Sequence, residues 1–234
     1  GMFHSLISDL PAEHLADTLE NFHVTPAYLK RLDSVARPTA PEGSLLAQAI
    51  AFVERRRQGI DVLEAALERG ELRHRPIHGD PKINNVMMDE SSGQAVGLID
   101  LDTVKPGLVH YDIGDCLRSC CNPVGEEETN LDAVHFDLGL CEAILDGYLT
   151  VARGFLSRWD LHYLPDCIRL IPLELGLRFL TDHLEGDVYF RTSRKDHNLH
   201  RAAVQFRLTA SIEAQMDGIR ALVQRLVADI ENGR

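Results

Sequence analysis

Two short runs carry side chains that could act together on a phosphoryl group: His78-Gly-Asp80-Pro-Lys82-Ile-Asn-Asn85 and Ile99-Asp100-Leu-Asp102. Moving a phosphoryl group from a nucleoside triphosphate to a hydroxyl needs one carboxylate near the acceptor's proton and oxygen ligands that hold Mg²⁺ on the phosphates. Asp80 is the candidate base. Asn85 follows in the spacing H-x-D-x-x-x-x-N and offers an amide oxygen, a hard ligand suited to Mg²⁺. Asp100 offers a carboxylate to bridge the metal to the β- and γ-phosphates, and Lys82 can place an ammonium against the transferred oxygens. The same Asp, Pro and Asn residues also suit an ordinary turn.

Around this set, His78 reads as a structural histidine packed under the loop rather than an acid or base. Asp102 is expected beside the metal, Asp112 as the group that holds the catalytic loop by its backbone, and Asp115 as a cap or a partner of Arg118. His197 and His200 could share one helical face, but no third ligand lies near them in sequence, so solvated polar histidines are expected. Gly125-Glu-Glu-Glu128 reads as a solvated charged loop.

These residues need a scaffold, and the first third of the chain supplies helices. Thr25-Pro26 reads as an N-cap and first helical residue, opening a helix to about Ala36. Arg37 to Gly43, with two prolines and a final glycine, is a loop. A helix from Ser44 turns Leu45, Leu46, Ala49, Phe52 and Val53 inward and ends on the solvated Glu54-Arg-Arg-Arg57. A further helix carries Ile60, Leu63 and Leu67 and stops at Gly70. The period then shortens: Val86-Met-Met88 and Val96-Gly-Leu-Ile99 flank Asp89-Glu-Ser-Ser-Gly-Gln94, the pattern of a hairpin with a longer turn. The chemical residues lie at its two outer ends, so Asp80, Asn85 and Asp100 should meet at one edge. After a Lys105-Pro-Gly107 turn, helices are expected over about 112–120, 136–156 and 165–184. One long amphipathic helix should then carry Phe206, Leu208, Ile212, Met216, Ile219, Leu226 and Ile230.

The composition is that of an ordinary globular protein, with 44% hydrophobic and 26% charged residues in 234. A net charge of −12 argues against non-specific nucleic-acid binding, since phosphates would be repelled over most of the surface. No apolar run approaches a membrane span. The start lacks the pattern of a signal peptide, and Gly1 before Met2 looks like a remnant of tag cleavage, so a cytoplasmic product beginning at or upstream of Met2 is expected. Five cysteines without a C-x-x-C pair suggest reduced thiols rather than a disulfide framework or a zinc site.

The two runs, with Tyr111-Asp-Ile-Gly-Asp-Cys-Leu-Arg118, Arg178-Phe-Leu-Thr-Asp-His-Leu-Glu-Gly-Asp-Val-Tyr189-Phe and His197-Asn-Leu-His-Arg-Ala, resemble the aminoglycoside phosphotransferase and choline kinase superfamily. Within it they look most like N-acetylhexosamine 1-kinases. The resemblance implies a mainly α (α+β) fold: the C-terminal lobe of a protein-kinase-like fold, with a small β hairpin at the catalytic site. It further implies transfer of the γ-phosphate of ATP to the anomeric hydroxyl of an N-acetylhexosamine with Mg²⁺. Asp80 would be the base, Asn85 and Asp100 the metal ligands, and Arg178 and Tyr189 would lie in the sugar-holding segment. Taken by themselves, Arg178 and Tyr189 read equally well as a surface salt bridge or a packing pair.

The N-terminal β-rich lobe of that superfamily, with its glycine-containing phosphate loop and paired lysine and glutamate, has no counterpart before His78. The only tryptophan, Trp159, is not placed to complete the sugar site. The expected organisation is one kinase-like C-terminal lobe over 1–234. Within it, 1–70 is a helical segment, 76–118 the catalytic and metal-binding loops, and 130–234 a helical substrate-binding part. Such a lobe could be a fragment of a sugar kinase, one half of a split kinase with its other lobe on a separate chain, or a catalytically inactive module that binds a sugar or a protein. Self-association through the uncovered face is also expected; a nucleic-acid or membrane partner is not.

Overall fold

The computed structural model describes residues 1–35 and 40–231. The expected helix end at Ala36 and the Arg37–Thr39 part of the expected loop lie outside them. So do the side chains of Ile230 and Glu231. Four helices come first: α1 (Met2–Leu6), α2 (Thr25–Ser34), α3 (Leu45–Glu54) and α4 (Val62–Glu68). Ser44 caps α3, its hydroxyl accepting from the Ala47 N–H at 3.2 Å. Gly70 follows α4 at φ +72°, the left-handed end expected of a terminating glycine. Thr25 does not cap α2, because its hydroxyl is drawn instead to the Glu174 carboxylate at 3.1 Å.

Four short strands follow: β1 (Arg75–Ile77), β2 (Val86–Met88), β3 (Ala95–Leu98) and β4 (Lys105–Gly107). They form two antiparallel pairs, β2 with β3 as the expected hairpin and β1 with β4. The second pair corrects the expected turn at Lys105-Pro-Gly107. Proline fits there because Pro106 lies opposite Pro76 in a two-stranded ribbon, where each strand has one unpaired edge.

The rest is helical: α5 (Val109–Cys120), α6 (Leu138–Ala152), α7 (Arg158–His162), α8 (Leu164–Leu184), α9 (His197–Ala214) and α10 (Met216–Glu231). The helix α8 is apolar on nearly all sides and buried, as a helix through the middle of a core must be. Against it pack α9, α5 and α2. Close approach comes from glycine: a Cβ on Gly114 of α5 would stand 2.4 Å from Ile171, and one on Gly176 of α8 would stand 2.3 Å from Phe206 of α9. The single long C-terminal helix expected from the apolar spacing is two helices. Gln215 breaks it, leaving helical geometry at φ −107° while its side-chain amide donates to the Phe136 carbonyl at 2.9 Å. The fold is thus mainly helical with two small antiparallel pairs. Among the described residues no helix is long and apolar enough to cross a membrane.

Candidate active site

Strand β1 delivers the chain into the loop that begins at His78, and a network of hydrogen bonds fixes that loop. Asp112, in the first turn of α5, accepts the backbone N–H groups of His78 and Gly79 at 2.7 and 2.8 Å. His4 of α1 donates to the same carboxylate at 2.8 Å. Burial pushes the Asp112 carboxyl up in pKa, but His4 and the two amides outweigh it and leave it below its ordinary value. The His78 ring is fully buried: its Nδ1 accepts the Asp80 N–H at 3.2 Å and its Nε2–H donates to the Ile99 carbonyl at 3.0 Å. Both nitrogens are thereby engaged in holding backbone, which leaves neither free for proton transfer.

Gly79 is required here. Its φ of +85° is costly for any residue with a side chain, and a Cβ would sit 2.6 Å from the Thr103 carbonyl oxygen. Thr103 closes the contact from the other side by donating its hydroxyl to the His78 carbonyl at 2.7 Å.

Asp80 emerges from this frame partly exposed and ion-paired to Lys82. Asn85 is buried and turns its amide nitrogen toward Asp80, 2.8 Å from the backbone carbonyl and 3.3 Å from the carboxylate. The Ile99 N–H donates to the Asn85 carbonyl at 2.9 Å, so the two ends of the β2–β3 hairpin stand together. Asp100 follows at once in left-handed geometry, φ +66° and ψ +57°, with an exposed carboxylate that pairs with no described residue. Asp102, in the short turn Leu101–Thr103, is exposed as well. Among the described residues no cluster of three or more His, Cys, Asp or Glu could hold a metal. Asn85 and Asp100 nevertheless fit Mg²⁺, which is bound through one or two protein oxygens together with substrate phosphates rather than in an all-protein cage. Around them the skirt of the hairpin is apolar and bare: Ile83, Met87, Met88, Val96, Ile99 and Leu101 are all about half exposed or more.

Asp80 and Lys82 open onto a cleft of about 750 Å³ whose far side carries Arg178 and Tyr189. The two sequence-selected pairs therefore share one cavity. A smaller recess of about 220 Å³ adjoins it at Phe22, Arg178, Tyr189 and Phe190. The Arg178 guanidinium has no carboxylate partner or hydrogen bond among the described residues. It lies instead among aromatic rings, 5.0 Å from the centroid of Phe22, 5.3 Å from Tyr28 and 5.4 Å from Phe190, held by cation–π attraction with its N–H donors unspent. Among the described residues Arg178 is thus not half of a salt bridge. Tyr189 is 68% exposed, and its backbone is fixed by Asp182, which accepts the N–H groups of Val188, Tyr189 and Phe190 at 3.0, 2.7 and 3.0 Å.

The opposite wall is a ladder of charges. Asp115 pairs with Arg118 at 2.8 Å, Arg118 reaches Glu126 at 3.5 Å, and Arg201 of α9 holds Glu126 at 2.5 Å. His197 donates to Glu127 at 2.6 Å. One expectation is extended here and one corrected. The Glu126-Glu127 loop borders the cleft and pairs with its cations, while Glu127 keeps the solvent exposure expected of it. His197 is buried, because its ring accepts from the Ser193 N–H while it serves Glu127, and His200 donates to the Glu128 carbonyl at 3.0 Å. Within this wall the Gln205 amide is almost fully buried, and its oxygen has no hydrogen-bond partner among the described residues.

Two residues that the motifs do not indicate complete the floor. His23 and Glu174 are both buried and bonded to each other at 3.0 Å. The trace of this in the sequence is a lone carboxylate inside the apolar run Ile171-Pro-Leu-Glu174-Leu, which could have been read as a group awaiting a partner.

The arrangement places a carboxylate and a cation at the mouth of a polar cleft, with Asn85 bonded to Asp80 from behind and joined to the Ile99-Asp100 turn by a backbone hydrogen bond, a set of groups suited to phosphoryl transfer. The family model for the phosphotransferase enzyme family (APH) matches residues 4–148, more than half of the chain. The chain belongs to this family, within the aminoglycoside phosphotransferase and choline kinase superfamily, and kinase-like phosphotransfer is the class of activity that membership carries.

Proposed function

We propose that this chain is the catalytic and acceptor-binding lobe of a cytoplasmic small-molecule kinase, closest to the N-acetylhexosamine 1-kinases, that uses Mg-ATP to phosphorylate the anomeric hydroxyl of an amino sugar. The observation that supports it best is the unpaired Arg178 guanidinium in the same cleft as Asp80. A cation with free donors suits the acyl and hydroxyl oxygens of such an acceptor. Asp80 takes or orients the proton of the attacking hydroxyl, which is most effective when the carboxylate is fixed from behind, as the loop fixes it here. Lys82, now on Asp80, swings to the transferred oxygens when they arrive. Asn85 and Asp100 would hold Mg²⁺, which when bound would neutralise the triphosphate charge.

The bare apolar skirt around the hairpin supports a β-rich nucleotide-binding lobe as its cover, carried by the same gene product or by a second chain, since patches of that kind mark contact surfaces. Calorimetric titration of the chain with N-acetylglucosamine and N-acetylgalactosamine tests the acceptor assignment without that lobe. Binding that Arg178→Ala removes is expected; failure of every amino sugar to bind contradicts the assignment.

A second reading is a sugar-binding module without turnover, favoured by the Lys82 ammonium lying on the Asp80 carboxylate. Sugar binding together with a complete lack of phosphate transfer by the whole gene product would select it.

A further inference from the structure

Buried His23 sits at a point where three elements meet the catalytic loop. Its Nδ1 is 3.0 Å from Glu174 Oε1 of α8, and its Nε2 is 2.8 Å from the carbonyl oxygen of Gly79. A carbonyl oxygen accepts only, so Nε2 must carry a hydrogen. With Glu174 ionised, its oxygens accept only, so Nδ1 carries one too. The ring stacks on Tyr111 of α5, with centroids 5.5 Å apart and planes 26° from parallel. His23 itself stands in left-handed geometry at φ +66°, a conformation that costs free energy in a residue with a side chain and persists only where its surroundings impose it. Glu174 is saturated from the other side by the Thr25 hydroxyl at 3.1 Å.

We infer that His23 is a positioning residue for Asp80: as an imidazolium donating from both nitrogens, it pins the Gly79–Asp80 peptide that carries the candidate base. The Gly79 peptide is thereby gripped at both ends, its N–H by Asp112 and its carbonyl by His23. Loss of one ring proton leaves either that carbonyl or the Oε1 atom of Glu174 without its donor, and a buried unpaired atom of this kind drives local rearrangement. The inference rests on the reading of Asp80 as the base.

The charged surroundings favour the doubly protonated ring. Burial works against the cation, but the Glu174 carboxylate, the Asp115 charge of α5 and the Gly79 carbonyl raise the His23 pKa above its ordinary value. The phenols packed from α2 and α5 stay neutral, since burial pushes Tyr28 up to about 12 and Tyr111 higher still. Asp80, Lys82 and Arg178 line the same cleft. The device therefore holds at neutral pH and fails as pH rises through the raised His23 value.

Uniform ¹⁵N labelling of the whole chain tests this, with long-range N–H correlation spectra of the histidine rings and backbone amide spectra recorded across a pH series. Both His23 ring nitrogens are expected to show the protonated signature at pH 7.5, and the Asp80 backbone amide is expected to shift in step as His23 loses its proton. Glu174→Gln should move that titration to lower pH, and the wild-type series alone decides if this variant does not fold. A bare ring nitrogen at pH 7.5, or an Asp80 amide that stays still while His23 titrates, overturns the inference. These resonances are read without turnover, so they decide the inference whether or not the phosphotransfer reading holds.

Discussion

Asn85 presents its amide nitrogen to Asp80, 2.8 Å from the backbone carbonyl and 3.3 Å from the carboxylate, which leaves its amide oxygen directed away from the base. One side chain can therefore brace the base and still offer a metal ligand. Asn85→Leu, similar in volume, removes both functions. Its apparent Mg²⁺ affinity in phosphotransfer should fall by about 10–100-fold, the loss typical when a metal site is disturbed. An unchanged Mg²⁺ titration would remove Asn85 from the metal site.

Asp80 stands at the cleft surface, with little of the core depending on it. Asp80→Asn should lower turnover by about 10²–10⁴-fold, the usual contribution of a positioned acid or base, while leaving the thermal unfolding midpoint nearly unchanged. Initial rates and calorimetry on the same preparation check both halves of the statement.

Gly79→Ala places a methyl group 2.6 Å from the Thr103 carbonyl oxygen at φ +85°. Strain of this kind costs about 1–3 kcal/mol, and the loop has no room in which to release it. Urea unfolding should show a loss of that size, with turnover falling further because the shift reaches Asp80 directly.

Asp112 links pH to the integrity of the loop. Its carboxyl is held below the ordinary range, so its contribution to stability is present above about pH 3.9, the unfolded value. That contribution is lost as pH falls through the lower folded value. Asp112→Asn should cost about 3–5 kcal/mol at neutral pH, as removing one partner of a buried charged network does. It should also flatten the acid limb of the stability curve relative to wild type. Stability that is measured against pH and shows the same acid limb in both proteins would contradict this role.

Gln205 lies in the charged wall with its amide oxygen unpartnered among the described residues, whereas the cations beside it are already paired. Gln205→Leu should weaken binding of an amino-sugar acceptor by about tenfold, the worth of one hydrogen bond of about 1.4 kcal/mol, and leave the apparent affinity for ATP unchanged. Calorimetric titration with the acceptor, and rates at varied ATP, separate the two effects.

The parts of the molecule legible in the sequence were those written in local chemistry. The hairpin β2–β3 was marked by its turn residues, whose Asp89 side chain accepts the Ser92 N–H at 2.8 Å, and Ser44 and Gly70 announced the ends of α3 and α4. What was missed depends on distant partners. Strand β4 contains Pro and Gly and is recognisable only by its pairing with β1. The break at Gln215 follows from a bond to Phe136, which apolar spacing cannot express. His23 and Glu174 are 151 positions apart, and the rings around Arg178 come from residues 22, 28 and 190. In each case the side chain's environment is assembled by packing around α8, so its role was open until the fold was known.

Phosphate transfer from Mg-ATP to N-acetylglucosamine or N-acetylgalactosamine by the gene's complete product, followed by ³¹P NMR, is the decisive measurement. Appearance of a sugar 1-phosphate resonance that Asp80→Asn abolishes is the expected result. Absence of transfer to any amino sugar, or transfer that persists in Asp80→Asn, would contradict the proposed function.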